Sequence, residues 1–284
     1  MPHRYQWPEE RPGACVLSVD VDGEVPHLWR TRGSQPRLAE LEQRRFGPRV
    51  GVHRLLSVLE DHGLRGSFYI PGHYAEQYPS AVEAIAEAGH EIGLHGHLHE
   101  PPTALSKAEF AVALRRSRKV LASVSGAVPT GFRSPSWDMT PESFHVLQDE
   151  GLDYDSSMMG YDHPYLIGGL VEVPVQWTLD DAPFYRYVGG IDPGHPPVRP
   201  RDLAEAWCDE LEAAQRFGSL AVITVHDWLS GRGAAAAALD RVLKRAAELG
   251  LWLATVAEVA DWHRQVGQQG ALEPQVPGLG GTHE

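Results

Sequence analysis

Apolar residues recur along this chain in short bounded blocks, and the blocks follow two different periods. Continuous runs rich in Val, Ile and Leu predict buried strands: Ala14–Leu17 extended by Val19 and Val21, Gly66–Ile70, His90–Leu94, Leu220–Val225 and Leu251–Thr255. Shorter strand-like pieces fall at Gly131–Phe132, Tyr154–Ser157 and Val171–Val175. Between them the spacing turns helical, as at Val50–His62, where Val52, Leu55, Leu56 and Leu59 share one face. Further helices are predicted at Ser80–Ala88 with Ser80 as cap and Gly89 as stop, and at Lys107–Ser123 begun by Ser106. Another opens at Thr140-Pro141-Glu142, with Thr140 at the cap and Pro141 at the first helical position. Leu203–Phe217 and Ala234–Gly250 complete the set.

Strands that alternate with helices predict an α/β fold with a parallel sheet covered by helices. With no repeat and no linker, residues 13–262 are expected to form one unit, and the Gly/Pro/Gln-rich stretch 265–284 a disordered tail. Two stretches dense in Pro, Gly and aromatic or Arg residues, Val25–Pro48 and Asp180–Arg201, are expected to be irregular and to border a pocket.

The polar residues at the ends of these strands change the picture. Asp20 and Asp22, His73, His95 and His99, Arg133 and His226 each fall just past an apolar run. In parallel α/β folds, catalytic groups collect at the carboxyl ends of strands, whereas incidental polar residues would scatter between both ends. Asp20 and Asp22, two apart on an extended segment, point to the same side. Adjacent carboxylates repel and are costly to bury without a cation, which suggests a metal ligand beside a general base; a solvated Asp-Gly turn is the alternative. His95 and His99, four apart, would lie on one face of a helical turn, a common way to grip one ion. With Asp22 they would make a two-histidine, one-carboxylate set with open positions, suited to hydrolytic zinc and also used by non-haem iron. His97 is expected to point elsewhere.

Composition excludes several classes. A formal net charge of −13 argues against binding nucleic acid or anionic membranes. The two cysteines, Cys15 and Cys208, make no disulfide framework and are expected to fill apolar space. The segment Met1–Gly13 lacks the apolar stretch of a signal peptide, and no segment approaches a membrane span, so cytoplasmic residence is expected.

Asp20-Val21-Asp22-Gly23, His95-Gly96-His97-Leu98-His99, Arg133-Ser134-Pro135-Ser136-Trp137 and Val225-His226, in this order, resemble the motifs of the polysaccharide deacetylase (NodB-homology, carbohydrate esterase) family. The resemblance implies a distorted (β/α) barrel with fewer than eight strands and the hydrolysis of a non-peptide amide bond. It also implies a divalent metal on Asp22, His95 and His99, zinc before cobalt, nickel or manganese. By the same resemblance Asp20 is the general base, Arg133 keeps it ionised and oriented, and His226 is the general acid. Two features qualify the match: Val21 separates the usually adjacent aspartates, and Trp177–Phe184 with Ser230-Gly231-Arg232 is similar to a cytoplasmic branch of the family. That branch contains a Helicobacter peptidoglycan-deacetylase-like protein and allantoin- and cyclic-imide-hydrolysing enzymes. Trp137, Asp181 and Trp228 are expected at the substrate, the tryptophans and Trp177 being equally suited to the core. The expected reaction is N-deacetylation of a sugar or small metabolite, with ring opening of cyclic imides or ureides as the alternative. The expected partner is a small-molecule or glycan substrate, and a homo-oligomer stays open.

Overall fold

The computed structural model describes residues 5–187 and 196–266. The chain runs β1 (Ala14–Asp20), α1 (Val25–Arg30), α2 (Leu38–Phe46), α3 (Val52–Asp61), β2 (Ser67–Ile70), α4 (Gly72–Gln77), α5 (Pro79–Glu87), β3 (Glu91–Leu94) and α6 (Lys107–Ser125). It continues β4 (Gly131–Phe132), α7 (Pro141–Asp149), β5 (Tyr154–Asp155), β6 (Tyr165–Ile167), β7 (Leu170–Glu172), α8 (Ala182–Tyr185) and α9 (Pro200–Phe217). The last elements are β8 (Leu220–His226), α10 (Gly233–Glu248), β9 (Trp252–Ala254) and α11 (Val256–Val266).

Among the described residues the strands form one nine-stranded sheet, ordered β6-β7-β5-β4-β3-β2-β1-β8, with β9 beside the first half of β1. Seven of them, from β8 through β1, β2, β3, β4 and β5 to β7, run parallel and curl into a partial barrel. An isolated parallel bridge from Asp180 to Thr224 spans the seam between the segment after β7 and β8. The expected distorted barrel is therefore present; β6, antiparallel to β7, and the short β9 bring the total to nine.

Period two along the strands explains both core layers. In β1, Cys15, Leu17 and Val19 pack outward against the helices, while Ala14 and Val16 fill the interior with Tyr69, Tyr154 and Val222. The same inner face continues upward as Ser18 and Asp20 in β1 and as Thr224 and His226 in β8, in register with each other. The barrel interior thus passes from apolar to polar as it climbs to the carboxyl ends of its strands. The site lies there.

Several local expectations differ from the fold. Val25–Pro48 is not an irregular excursion: α1 and α2 occupy most of it, organised by a buried cluster in which Glu40 accepts from Arg30 and Arg44 and lies 3.0 Å from His27. Charged residues that pair with one another inside a helix hairpin carry no apolar period, so the sequence hides the helices. The α5 cap is Tyr78 rather than Ser80, because Pro79 takes the first helical position. Ser106 and Thr140 do cap α6 and α7. The packed unit starts before residue 13, since Trp7 is buried and its indole donates to Gly218 O at 2.9 Å. The expected tail is still helical at 265–266, and 267–284, like 188–195 of the second long stretch, lies outside the described residues.

One buried pair behind the site yields a stability prediction. Asp155 and Glu172 are opposite one another at the ends of β5 and β7, both fully buried. Glu172 Oε1 accepts the N–H groups of Ser157 and Met158 at 2.9 and 2.9 Å, and Asp155 Oδ1 accepts Ser157 Oγ at 2.8 Å. Asp155 Oδ2 and Glu172 Oε2 find no donor among the described residues. A carboxyl proton shared between them supplies one. Burial raises Asp155 to about 6, and burial together with the Asp155 charge holds Glu172 well above the usual carboxylate range. Unfolded carboxylates ionise near about 4, so the folded chain binds the extra proton above that pH and stability falls as pH rises through and beyond about 6. Glu172→Gln supplies the donor permanently and is expected to flatten this slope. Urea midpoints of both proteins at about pH 5 and about pH 8 test it; an unchanged slope refutes the shared proton.

Candidate active site

Arg133 is the centre of the site's electrostatics. It follows β4, is fully buried, and crosses the barrel beneath the rim with its guanidinium 4.1 Å from the Tyr69 ring centroid. Its Nη1 donates to Asp20 Oδ1 at 2.9 Å, to Ser18 Oγ at 2.8 Å and to Thr224 Oγ1 at 3.4 Å; its Nε and Nη2 donate to Ser156 O and Oγ. A buried guanidinium stays charged, and here every nitrogen is engaged. Burial would raise the Asp20 pKa, but the charge and hydrogen bond of Arg133, with His95 and His226, outweigh it and hold the carboxyl below its usual range. Asp20 is thus a fixed carboxylate whose Oδ2 is turned away from Arg133 and lies 3.8 Å from His95 Nε2.

Asp22, His95 and His99 converge beside it. One ligand atom from each lies within 4.8 Å of the others, with His99 Nε2 3.3 Å and His95 Nε2 3.6 Å from Asp22 Oδ1. The pair does not come together on a helical turn. After β3 the chain bends through Gly96 and His99, both at positive φ (69° and 59°), and sets the two rings edge to face at 4.8 Å. A histidine held in the left-handed region is strained, and such strain clusters at functional sites. The donor set fits a divalent ion on three counts. His95 Nδ1 bonds the Arg133 carbonyl at 2.8 Å, which leaves Nε2 as the lone-pair donor. Burial pulls His95 down to about 4 and, with the Arg44 charge, His99 to about 3, so both rings are neutral. Asp22 Oδ1, buried, lacks any hydrogen bond, and burial and the neighbouring Asp20 raise Asp22 in the absence of a cation.

His226 closes the other side. Its Nδ1 bonds Asp181 Oδ1 at 2.7 Å, its own N–H donates to Asp181 Oδ2 at 3.0 Å, and Nε2 faces Asp22 Oδ2 at 3.9 Å. Burial alone would lower the His226 pKa, but Asp181, Asp180 and Asp22 reverse this and hold the imidazolium well above its ordinary value. Asp181, expected at the substrate, is instead fully buried, with both oxygens occupied by His226 and by Ser230 N–H and Oγ. Its neighbour Asp180 faces the cavity, 3.8 Å from His226 Nδ1.

Asp20, Asp22, His95, His99, Asp180 and His226 line one cavity of about 480 Å³. Both long stretches border it, the first through Pro26, Trp29 and Arg44 and the second through Asp180, Ala182 and Arg186. Trp137 and Trp228, though nearly buried, contribute to its wall, and Trp177 lies 4.4 Å from Trp137. Arg44 went unnoticed in the sequence. It is buried, 4.3 Å from the Trp228 ring centroid, and burial lowers it only to about 10, so it brings a permanent positive charge to the wall. Asp180 had one legible signal, a doubled aspartate after an apolar residue; Arg44, inside the Arg44-Arg45 run, had none.

A parallel partial barrel that gathers an ionised aspartate, a charged histidine and a two-histidine, one-carboxylate set at one end has the architecture of a hydrolytic α/β enzyme. The polysaccharide deacetylase family model matches residues 46–154. A crystal structure from Mycobacterium smegmatis bearing the polysaccharide deacetylase name is 33% identical, with TM-score 0.91 over 97% of this chain and 99% of that one. The Helicobacter pylori peptidoglycan deacetylase is 28% identical over 247 residues, 76% of this chain and 84% of its own. An allantoinase structure, 20% identical, shares the fold with TM-score 0.81 over 94% of this chain and 95% of its own. The chain belongs to the polysaccharide deacetylase family. Among the described residues no helix is long and apolar enough to cross a membrane.

Proposed function

We propose that this protein is a metal-dependent N-deacylase that removes an acetyl group from the amide nitrogen of a small N-acetylated molecule, an N-acetylated sugar first. The observation that carries the reading is the meeting of Asp20, the Asp22–His95–His99 set and His226 in one cavity. Binding alone would need neither a buried base held ionised by arginine nor an imidazolium held charged by aspartate. An ion held by Asp22, His95 and His99 would supply a Lewis acid for the scissile carbonyl and lower the pKa of a water. Asp20 takes the proton of the attacking water at Oδ2, while Arg133 keeps Oδ1 in place. As the C–N bond breaks, His226 gives its Nε2 proton to the departing nitrogen, and Asp181 holds the opposite ring nitrogen throughout. The volume, about 480 Å³, is in the range of small-molecule sites, and its tryptophans offer flat apolar faces to a sugar ring. The name of the Helicobacter pylori relative supports N-acetylated sugars as the first class to test.

The test is a screen of N-acetyl sugars, cyclic imides and ureides with purified, metal-analysed protein. Acetate release from a mono- or disaccharide supports the proposal. Ring-opened acid without acetate would move the reaction to the ring-opening class, and faster turnover of long glycan chains than of short ones would overturn the small-substrate reading.

A further inference from the structure

His97, between the two histidines of the cavity, turns to the opposite side of its loop. Its side chain is 3% exposed, yet neither ring nitrogen has a hydrogen-bond partner among the described residues. Buried polar atoms without partners are costly, and each calls for something to pair with it. Nε2 is aimed at Glu76, 3.8 Å from Oε1, and Glu76 Oε2 is 3.2 Å from His73 Nδ1. His73 and Glu76 are three apart on α4 and so share a face. The helix is stitched to the loop by two backbone bonds, Gly72 N–H to Gly96 O at 3.1 Å and His73 N–H to His97 O at 2.8 Å. Gly72 permits that approach, since a Cβ there would come within 2.5 Å of His97 Nδ1.

One ligand atom from each of His73, Glu76 and His97 lies within 4.8 Å of the other two. We infer that these three side chains form a second divalent-metal site, distinct from the catalytic cavity, for zinc or another transition ion that favours imidazole. Two imidazoles and a carboxylate are a donor set such ions accept, and the partial exposure of His73 and Glu76 leaves room for water at a further position. Arg116, 3.1 Å from Glu76 Oε1, is 58% exposed and can swing into solvent when a cation takes its place. The site is structural rather than catalytic: an ion there ties α4 to the bent loop that delivers His95 and His99. The assignment does not depend on the chemistry proposed for the cavity.

Cobalt titration of the chelator-treated full-length protein, followed by absorption, tests it. A cavity variant, Asp22→Asn with His95→Gln, is expected to retain one bound equivalent and to gain thermal stability with zinc. Adding His73→Gln, or separately Glu76→Gln, removes both effects; these residues are partly exposed, so the fold survives. The inference is overturned if the cavity variant binds no cobalt, or if its bound equivalent and its stabilisation persist in both second-site variants. Were the wild type to bind a single equivalent, insensitive to the cavity changes and lost with His73→Gln, the second site would stand and the cavity metal would fall.

Discussion

Replacing His95 or His99 by alanine is expected to remove the ion of the cavity and with it turnover, while the chain stays folded. Each ring contributes one donor nitrogen beside Asp22 Oδ1, and three protein ligands are few enough that losing one leaves a weak two-ligand site. The structural cost is small: His95 gives up one bond to the Arg133 carbonyl, and His99 gives up its ring while alanine keeps the same left-handed backbone. Elemental analysis, activity and thermal melts on the same preparations decide it. If the variants bind as much zinc, cobalt, nickel or manganese as the wild type, the ligand set is wrong. His97→Ala should spare turnover and the cavity ion; equal damage there would mean that the wrong pair of histidines was assigned.

The second large effect separates base from acid. Asp20→Asn keeps the Arg133 contact in shape but cannot take a proton, and His226→Ala removes the proton donor. Each is expected to lower turnover by about 10²- to 10⁴-fold while leaving the cavity ion bound. The loss in His226→Ala should shrink for substrates whose leaving amine is a weak base. Turnover should follow a bell in pH, its acidic limb needing an ionised group and its basic limb a protonated one; both belong to one coupled site. Asp181 is the strongest support of the His226 charge, so Asp181→Asn lowers the pKa of the imidazolium and moves the basic limb to lower pH. Near wild-type turnover of an alkyl amide by His226→Ala, with the basic limb unmoved, would pass the acid role to another group.

Much of this was legible because strands are periodic. The apolar runs show where β1, β3, β4 and β8 end, and the polar residues found there, Asp20, Asp22, His95, Arg133 and His226, are those the fold gathers. What stayed hidden was built from long-range pairing. The buried charges of α2 answer one another rather than an apolar core, so Arg44 and Glu40 looked like loop residues. Asp181 was expected at the substrate because only β8 and the turn after it, much later in the chain, supply the His226 and Ser230 groups that occupy it. The convergence of His95 and His99 was expected for the wrong local reason, since a bend with two left-handed residues replaces the helical turn. His97 was expected to point away, and it does; that it meets His73 and Glu76 there depended on α4 docking against the loop.

The pairing of β1 with β8 also bears on how the molecule comes into being. Ser18 and Thr224, 206 residues apart, meet directly, and Asp20 and His226 share the next rung of the same ladder. The two halves of the proposed acid–base pair are therefore contacts between distant parts of the chain, and such high contact order slows folding. A nascent chain emerging from the ribosome would present Asp20, Asp22 and the histidine loop long before the strand that carries His226 exists. Until β8 docks, β1 has an unpaired edge, and that edge is where a stalled or truncated chain would be most prone to aggregate.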